Sequence, residues 1–236
     1  MTINEYCQEY LKACDQPWPE IKKAQAKLVE KLNKGEKIQL IFNENDPNEK
    51  KRTNLTMSIK EMTFINCTID WNYPGSEVFS APVKDSVNGQ LYASGEFSYE
   101  EINFKNLFFK FKDGLIIEAH SEENNEELKA LLNRDPANRF LGEFAFGTNP
   151  GVIKHLKEKL LEEKQAGKIH FAIGECYKDK FDAEGLPVNV NNGNHGGDQA
   201  IHWDIVTEAK VILDGEVIQE NGRFLDTDLE ILNPKG

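Results

Sequence analysis

The chain is predicted to be an α+β protein with a mixed, mainly antiparallel sheet, and three observations lead there. Short runs that alternate or stay apolar, bounded by polar loops, read as strands. The dipeptides Asn88-Gly89, Asp113-Gly114 and Asp214-Gly215 supply the positive φ angles of tight hairpins, which join antiparallel neighbours. Helical patterns interrupt these strands irregularly, whereas parallel βαβ units alternate one for one.

Taken in order, residues 1–36 read as a helical segment. Ile3, Tyr6, Tyr10 and Leu11 recur at helical spacing, and Ile21, Leu28 and Leu32 do so again after the break Pro17-Trp18-Pro19. A second unit, residues 37–236, then opens with strands at Lys37 to Phe42 and within Leu55 to Ile69, separated by the polar loop Asn43 to Asn48. Hairpins are expected at the three Asx-Gly sites. Helices are expected at Glu122 to Asn133, at Pro136 to Phe146 with Asp135 as N-cap, and at Gly151 to Ala166.

Composition narrows the function. The 236 residues carry a net charge of -12, with a pI near 5.0, and no long Lys/Arg stripe, which argues against a nucleic-acid binder. No apolar run is long enough to span a bilayer and no signal-peptide pattern opens the chain, so a cytoplasmic protein is expected. Cys7, Cys14, Cys67 and Cys176 show no CxxC spacing and read as free thiols.

The residues that draw chemistry begin with Ile201-His202-Trp203-Asp204-Ile205. On a strand, neighbours alternate faces, so His202 and Asp204 share a polar face above an apolar underside of Ile201, Trp203 and Ile205. An imidazole beside a carboxylate can hold a divalent cation. The competing reading is an edge strand with a solvated polar face. His170, in Ile169-His170-Phe171-Ala172-Ile173-Gly174, shares its face with the small residues Ala172 and Gly174, which leave space for a ligand; alternatively it is a core histidine bonded to backbone. Glu143 lies in a segment apolar nearly all round, read here as a helix turn, and a carboxylate there needs a partner, either Arg139 four residues earlier or a metal. Glu77 reads locally as a solvated strand-end residue, and Tyr177 as strand-end packing with a phenolic donor. The glycine-rich loop Asn191 to Asp198 lacks the strand-to-helix context and lysine of a phosphate-binding loop.

Together His170, His202, Asp204, Glu143 and Glu77 would supply two imidazoles and three carboxylates, an inventory suited to two divalent ions about 3.5–4 Å apart that activate a water and polarise a carbonyl. Nitrogen and oxygen donors suit zinc, cobalt or manganese. A mononuclear iron site of two histidines and one carboxylate competes, but its usual order places His-x-Asp before the distant histidine, and here His170 comes first.

Several blocks resemble the catalytic part of the thermophilic-type metallo-aminopeptidases: Thr53-Asn54-Leu55-Thr56-Met57-Ser58, Pro74-Gly75-Ser76-Glu77 through Pro82, Leu141-Gly142-Glu143, Gly147-Thr148-Asn149-Pro150, His170 to Gly174 with Tyr177, and Ile201-His202-Trp203-Asp204. The resemblance implies that Glu77, Glu143, His170, His202 and Asp204 fall on metal ligands and Tyr177 on an active-site tyrosine, which replaces the local reading of Glu77. It further implies removal of N-terminal residues from peptides with a free N-terminus by a metal-activated water, with Glu143 bridging the ions or moving the proton and Tyr177 donating to the oxyanion. A homodimer helps to enclose the site in that family. The family's sizeable N-terminal α/β domain has no counterpart before the opening helices of this chain, so the resemblance is expected to cover the catalytic part alone. A catalytically idle metal-binding relic, or an amidase of another substrate class, are the alternative readings.

Overall fold

The computed structural model describes residues 2–152, 159–176 and 199–235. The chain starts with α1 (Ile3–Cys14) and α2 (Trp18–Asn33), followed by β1 (Lys37–Phe42), β2 (Thr53–Ser58), β3 (Ile65–Cys67) and β4 (Glu77–Ser80). Two long strands, β5 (Asn88–Tyr99) and β6 (Ile102–Lys112), lead to β7 (Leu115–His120) and α3 (Asn125–Asn133). Then come β8 (Leu141–Gly147), α4 (Lys159–Lys164), β9 (Ile169–Gly174) and β10 (His202–Thr207). The strands β11 (Lys210–Leu213), β12 (Glu216–Glu220) and β13 (Arg223–Phe224) complete the series.

These strands form two sheets. The larger has the order β13-β12-β11-β1-β2-β5-β6-β7 and the smaller β10-β9-β8-β4-β3, with antiparallel pairing throughout. The α+β expectation is met. A single apolar core joins both sheets to α2 and α3, with Leu28, Leu40, Leu91, Phe109, Leu128, Phe144, Phe171 and Trp203 all buried in it. Trp203 of the smaller sheet meets Tyr99 of the larger at a ring separation of 5.8 Å, so the faces of the two sheets that carry the large apolar side chains press together. None of the described helices is long and apolar enough to cross a membrane, and all four cysteines are free thiols.

Two hairpins form where expected. Asp113-Gly114 and Asp214-Gly215 take φ of 49°/78° and 50°/90°, the positive pair a two-residue hairpin requires. Asn88-Gly89 does not turn: Gly89 has a φ of 112° but pairs with Leu55 on one side and Phe111 on the other, inside β5. Helix α1 forms, yet Ile3 and Leu11 are exposed while Glu9 and Ala13 are buried, so the periodic stripe read from the sequence is not its covered face. The expected helix from Pro136 to Phe146 is overturned. Asp135 caps a 3-10 turn of only Pro136–Arg139, after which the chain extends into β8, buried along its whole length. Gly151 and Val152 are not helical, and of the expected helix there α4 is the described part.

A candidate metal centre on the smaller sheet

Adjacent strands of the smaller sheet each bring a ligand-type side chain to one face. In β10, Ile201, Trp203 and Ile205 are buried beneath, as the alternation requires, while the His202 side chain keeps 43% exposure and Asp204 23%. Antiparallel register places Asp204 and Glu143 opposite the same residue, Ala172, and sets His202 opposite Gly174. Residues directly opposite share a face, so Ala172 and Gly174 are the low floor between His202, Asp204 and Glu143. On β4, Glu77 pairs with Gly147 and begins a strand buried at every position.

Glu143 reaches this face through a bulge. Leu141 pairs with Ile173, and Glu143, two residues on, pairs with Ala172, only one step along β9. An unbroken strand would keep Leu141 and Glu143 on one face and bury the carboxylate in the apolar core; the extra residue, Gly142, reverses the phase. A Cβ at Gly142 would stand 1.9 Å from the Glu175 carbonyl oxygen, so the bulge is packed where only hydrogen fits. Arg139 does not pair with Glu143: its guanidinium donates to the Asn133 side chain and to the Ile116 carbonyl.

His170 is the hub. It is 1% exposed, and its Nε2 lies 3.0 Å from Glu143 Oε1 and 3.3 Å from Glu77 Oε2. His202 Nε2 stands 3.5 Å from Asp204 Oδ1 and 3.9 Å from Glu143 Oε2, with its Nδ1 3.3 Å from the Glu175 carbonyl. Glu143 therefore turns one oxygen to each histidine. Ligand atoms of Glu77, Glu143 and His170 lie within 4.8 Å of one another, and so do those of Glu163, His170 and Asp204.

The electrostatics follow from so many carboxylates in one buried place. Burial opposes charging His170, but the hydrogen bond that Glu143 accepts and the negative charges of Glu143 and Glu77 prevail and hold its pKa well above the ordinary imidazole value. Burial likewise opposes the His202 cation, yet Asp204 and Glu143 raise its pKa to about 9. Glu163 is pushed up to about 7, mainly by burial. Glu77 is buried too, which alone would raise it, but His170 and Lys164 keep it below the usual carboxylate range.

The donor set fits a divalent cation. His170 Nδ1 and Glu77 Oε2 are buried with no hydrogen-bond partner among the described residues, a costly state for two polar atoms unless another group satisfies them. Hard oxygen and imidazole donors without thiolate suit zinc, cobalt or manganese.

Of the residues singled out from sequence, Glu77, Glu143, His170, His202 and Asp204 come together here. Tyr177 lies outside the described residues, as does the loop Asn191 to Asp198. Sequence reasoning missed Glu163 and Lys164. Lys164 is fully buried, its ammonium between Glu77 Oε1 and Glu163 Oε1. Lys164 lies three positions after the buried Leu161, on the covered face of α4, and that face is set by packing and not by a pattern in the sequence.

Helix α2 reaches the centre as well. Buried Gln25 donates to the Glu77 carbonyl at 3.1 Å and to Thr148 Oγ1 at 2.9 Å, and accepts from Thr68 Oγ1 at 2.6 Å. The segment before β4 and the one after β8 are thus tied to a helix from the start of the chain.

The chain is similar to known proteins along much of its length. Aminopeptidase T of Thermus aquaticus is 32% identical over 151 residues, 61% of this chain and 36% of that protein. Aminopeptidase 2 of Geobacillus stearothermophilus is 32% identical over 126 residues, 52% of this chain and 28% of that protein. The chain thus aligns with about a third of the length of these relatives. Among solved structures, wild-type AmpT from Thermus thermophilus superposes with a TM-score of 0.65 at 19% identity, covering 89% of this chain and 56% of that one. The 2,5-dihydroxypyridine dioxygenase from Pseudomonas putida KT2440 superposes with a TM-score of 0.69 at 12% identity, covering 94% of this chain and 64% of that one. At such identities both likenesses speak for the fold alone. The family described as thermophilic metalloprotease (M29) matches residues 3–224, nearly the whole chain and every ligand-type residue above, and the protein belongs to that family.

Proposed function

We propose that the protein is a metal-dependent aminopeptidase that hydrolyses the first peptide bond of peptides with a free N-terminus, using a pair of divalent ions held by Glu77, Glu143, Glu163, His170, His202 and Asp204. The observation that carries the reading is the disposition of Glu143, with one oxygen 3.0 Å from His170 and the other 3.9 Å from His202. A carboxylate turned to two imidazoles would stand between the ions those imidazoles would hold, within reach of a water there. The two overlapping groups offer five ligand-type residues, more than a single four-coordinate ion takes, which supports two ions. The names of the relatives, aminopeptidase T and aminopeptidase 2, support the substrate class.

Bound ions of this kind lower the pKa of a coordinated water and polarise a scissile carbonyl. The chain's own groups do the rest. Glu143, 7% exposed in the floor of the site, takes the proton of the attacking water and returns it to the leaving amine. Glu77 and Asp204 supply oxygen donors; Lys164 and His170 beside Glu77 favour its charged form. Tyr177 donates its phenolic proton to the developing oxyanion. A homodimer that closes the site, a cytoplasmic setting, and zinc, cobalt or manganese as the ion complete the proposal.

The test is release of free amino acid from a panel of aminoacyl amides, run beside their N-acetylated counterparts. The expected result is cleavage of the free-amine substrates alone, lost with chelator and restored by metal. Metal uptake without turnover would mark an idle metal-binding domain. Equal cleavage of blocked substrates would mark an amidase of another class.

A further inference from the structure

Lys164 is a buried cation set directly against two carboxylates of the centre. Its side chain is 2% exposed, on α4, with Nζ in contact with Glu77 Oε1 and 2.7 Å from Glu163 Oε1. Glu77 Oε2 faces the other way, 3.3 Å from His170 Nε2 and without a hydrogen-bond partner. The ammonium thus occupies one oxygen of a ligand carboxylate and leaves the second exposed to the metal position. We infer that Lys164 is a positioning residue that restricts Glu77 to a single ligating oxygen and, by gripping Glu163 with the same ammonium, sets the spacing between the two carboxylates.

Without the ammonium, Glu77 is free to chelate through both oxygens, which changes the coordination number of the ion it holds.

The inference rests on the metal-centre reading, and its test is read without substrate. Lys164→Met keeps the length of the side chain and removes the charge. Loaded with Co(II), this variant is expected to bind the ion yet shift its visible absorption relative to wild type, and to lose about 10-fold or more in kcat with little change in KM. A Co(II) spectrum superposing on wild type would overturn the inference. Should Lys164→Met fail to fold, the wild-type protein with 15N-labelled lysine decides: one slowly exchanging ammonium signal is expected before and after Zn(II) loading. Loss of that signal on loading would mean that the lysine releases Glu77, and would equally overturn it. Wild-type protein that takes up Co(II) but releases no amino acid defeats the aminopeptidase reading and leaves the role of Lys164 standing; wild-type protein that takes up no Co(II) defeats both.

Discussion

Glu143 Oε1 and His170 Nε2 lie 3.0 Å apart on neighbouring strands because the bulge at Gly142 puts the glutamate on the histidine's face of the sheet. The first prediction concerns that glutamate. Glu143→Gln keeps size and hydrogen-bonding capacity but cannot accept a proton, so kcat is expected to fall at least about 100-fold. The thermal melt should stay close to wild type, since the site face is polar already. Full activity in this variant would remove Glu143 from the chemistry.

Gly142 makes the second. A methyl group there would meet the Glu175 carbonyl at 1.9 Å, and the same carbonyl lies 3.3 Å from His202 Nδ1. Gly142→Ala should cost about 1–3 kcal/mol of stability in urea unfolding. It should also weaken metal uptake, because β8 must move from β9 or the Glu175 segment must move with His202. A variant as stable as wild type, with unchanged uptake, would show that the bulge tolerates a side chain.

A third prediction follows from the connection between α2 and the centre. Gln25→Ala removes the buried side chain that ties the Glu77 carbonyl to Thr68 Oγ1, and leaves Thr148 Oγ1 with Ser76 as its remaining partner. The expected loss is about 1–3 kcal/mol, read by denaturant unfolding, with a weaker metal affinity because Glu77 is the residue whose backbone is released.

The fourth is a pH dependence. His202 is raised from 6.5 to about 9 by Asp204 and Glu143 against the pull of burial. A raised folded-state pKa stabilises the fold fully below 6.5, and that contribution is lost as pH rises through about 9. Chelator-treated protein should therefore melt at a lower temperature at pH 10 than at pH 6. Metal affinity should run the opposite way and rise with pH across the same window, because imidazolium must lose its proton before it can ligate. Melting and metal titrations at a series of pH values check both signs. A chelated protein that gains stability between pH 6 and 10 would contradict the assignment of His202 to the charged cluster.

How far the sequence disclosed this arrangement depends on how local each cause was. The polar face of His202 and Asp204 over Ile201, Trp203 and Ile205 followed from period-two alternation and stands in the structure. The turns at Asp113-Gly114 and Asp214-Gly215 were equally local. Glu143 was misread as helical because Asp135 and Pro136 are strong helix-start signals, and an apolar run has no period that distinguishes a buried helix from a buried strand. The start signals were spent on a single 3-10 turn, and the bulge that aims Glu143 at the site has no signature beyond one glycine. Glu77 looked solvated because its burial comes from β8 and Lys164, both distant in sequence. Lys164 and Glu163 sat in a Lys/Glu-rich stretch that reads as a wet helix face, and only the packing of α4 against the smaller sheet reveals otherwise.

The central claim is that Glu77, Glu143, Glu163, His170, His202 and Asp204 together hold metal. Anomalous diffraction from crystals loaded with Zn(II), collected at the zinc edge, tests it directly. The account predicts two peaks among these side chains, with Glu143 between them. No peak there, or peaks only at surface carboxylates elsewhere on the chain, would contradict it.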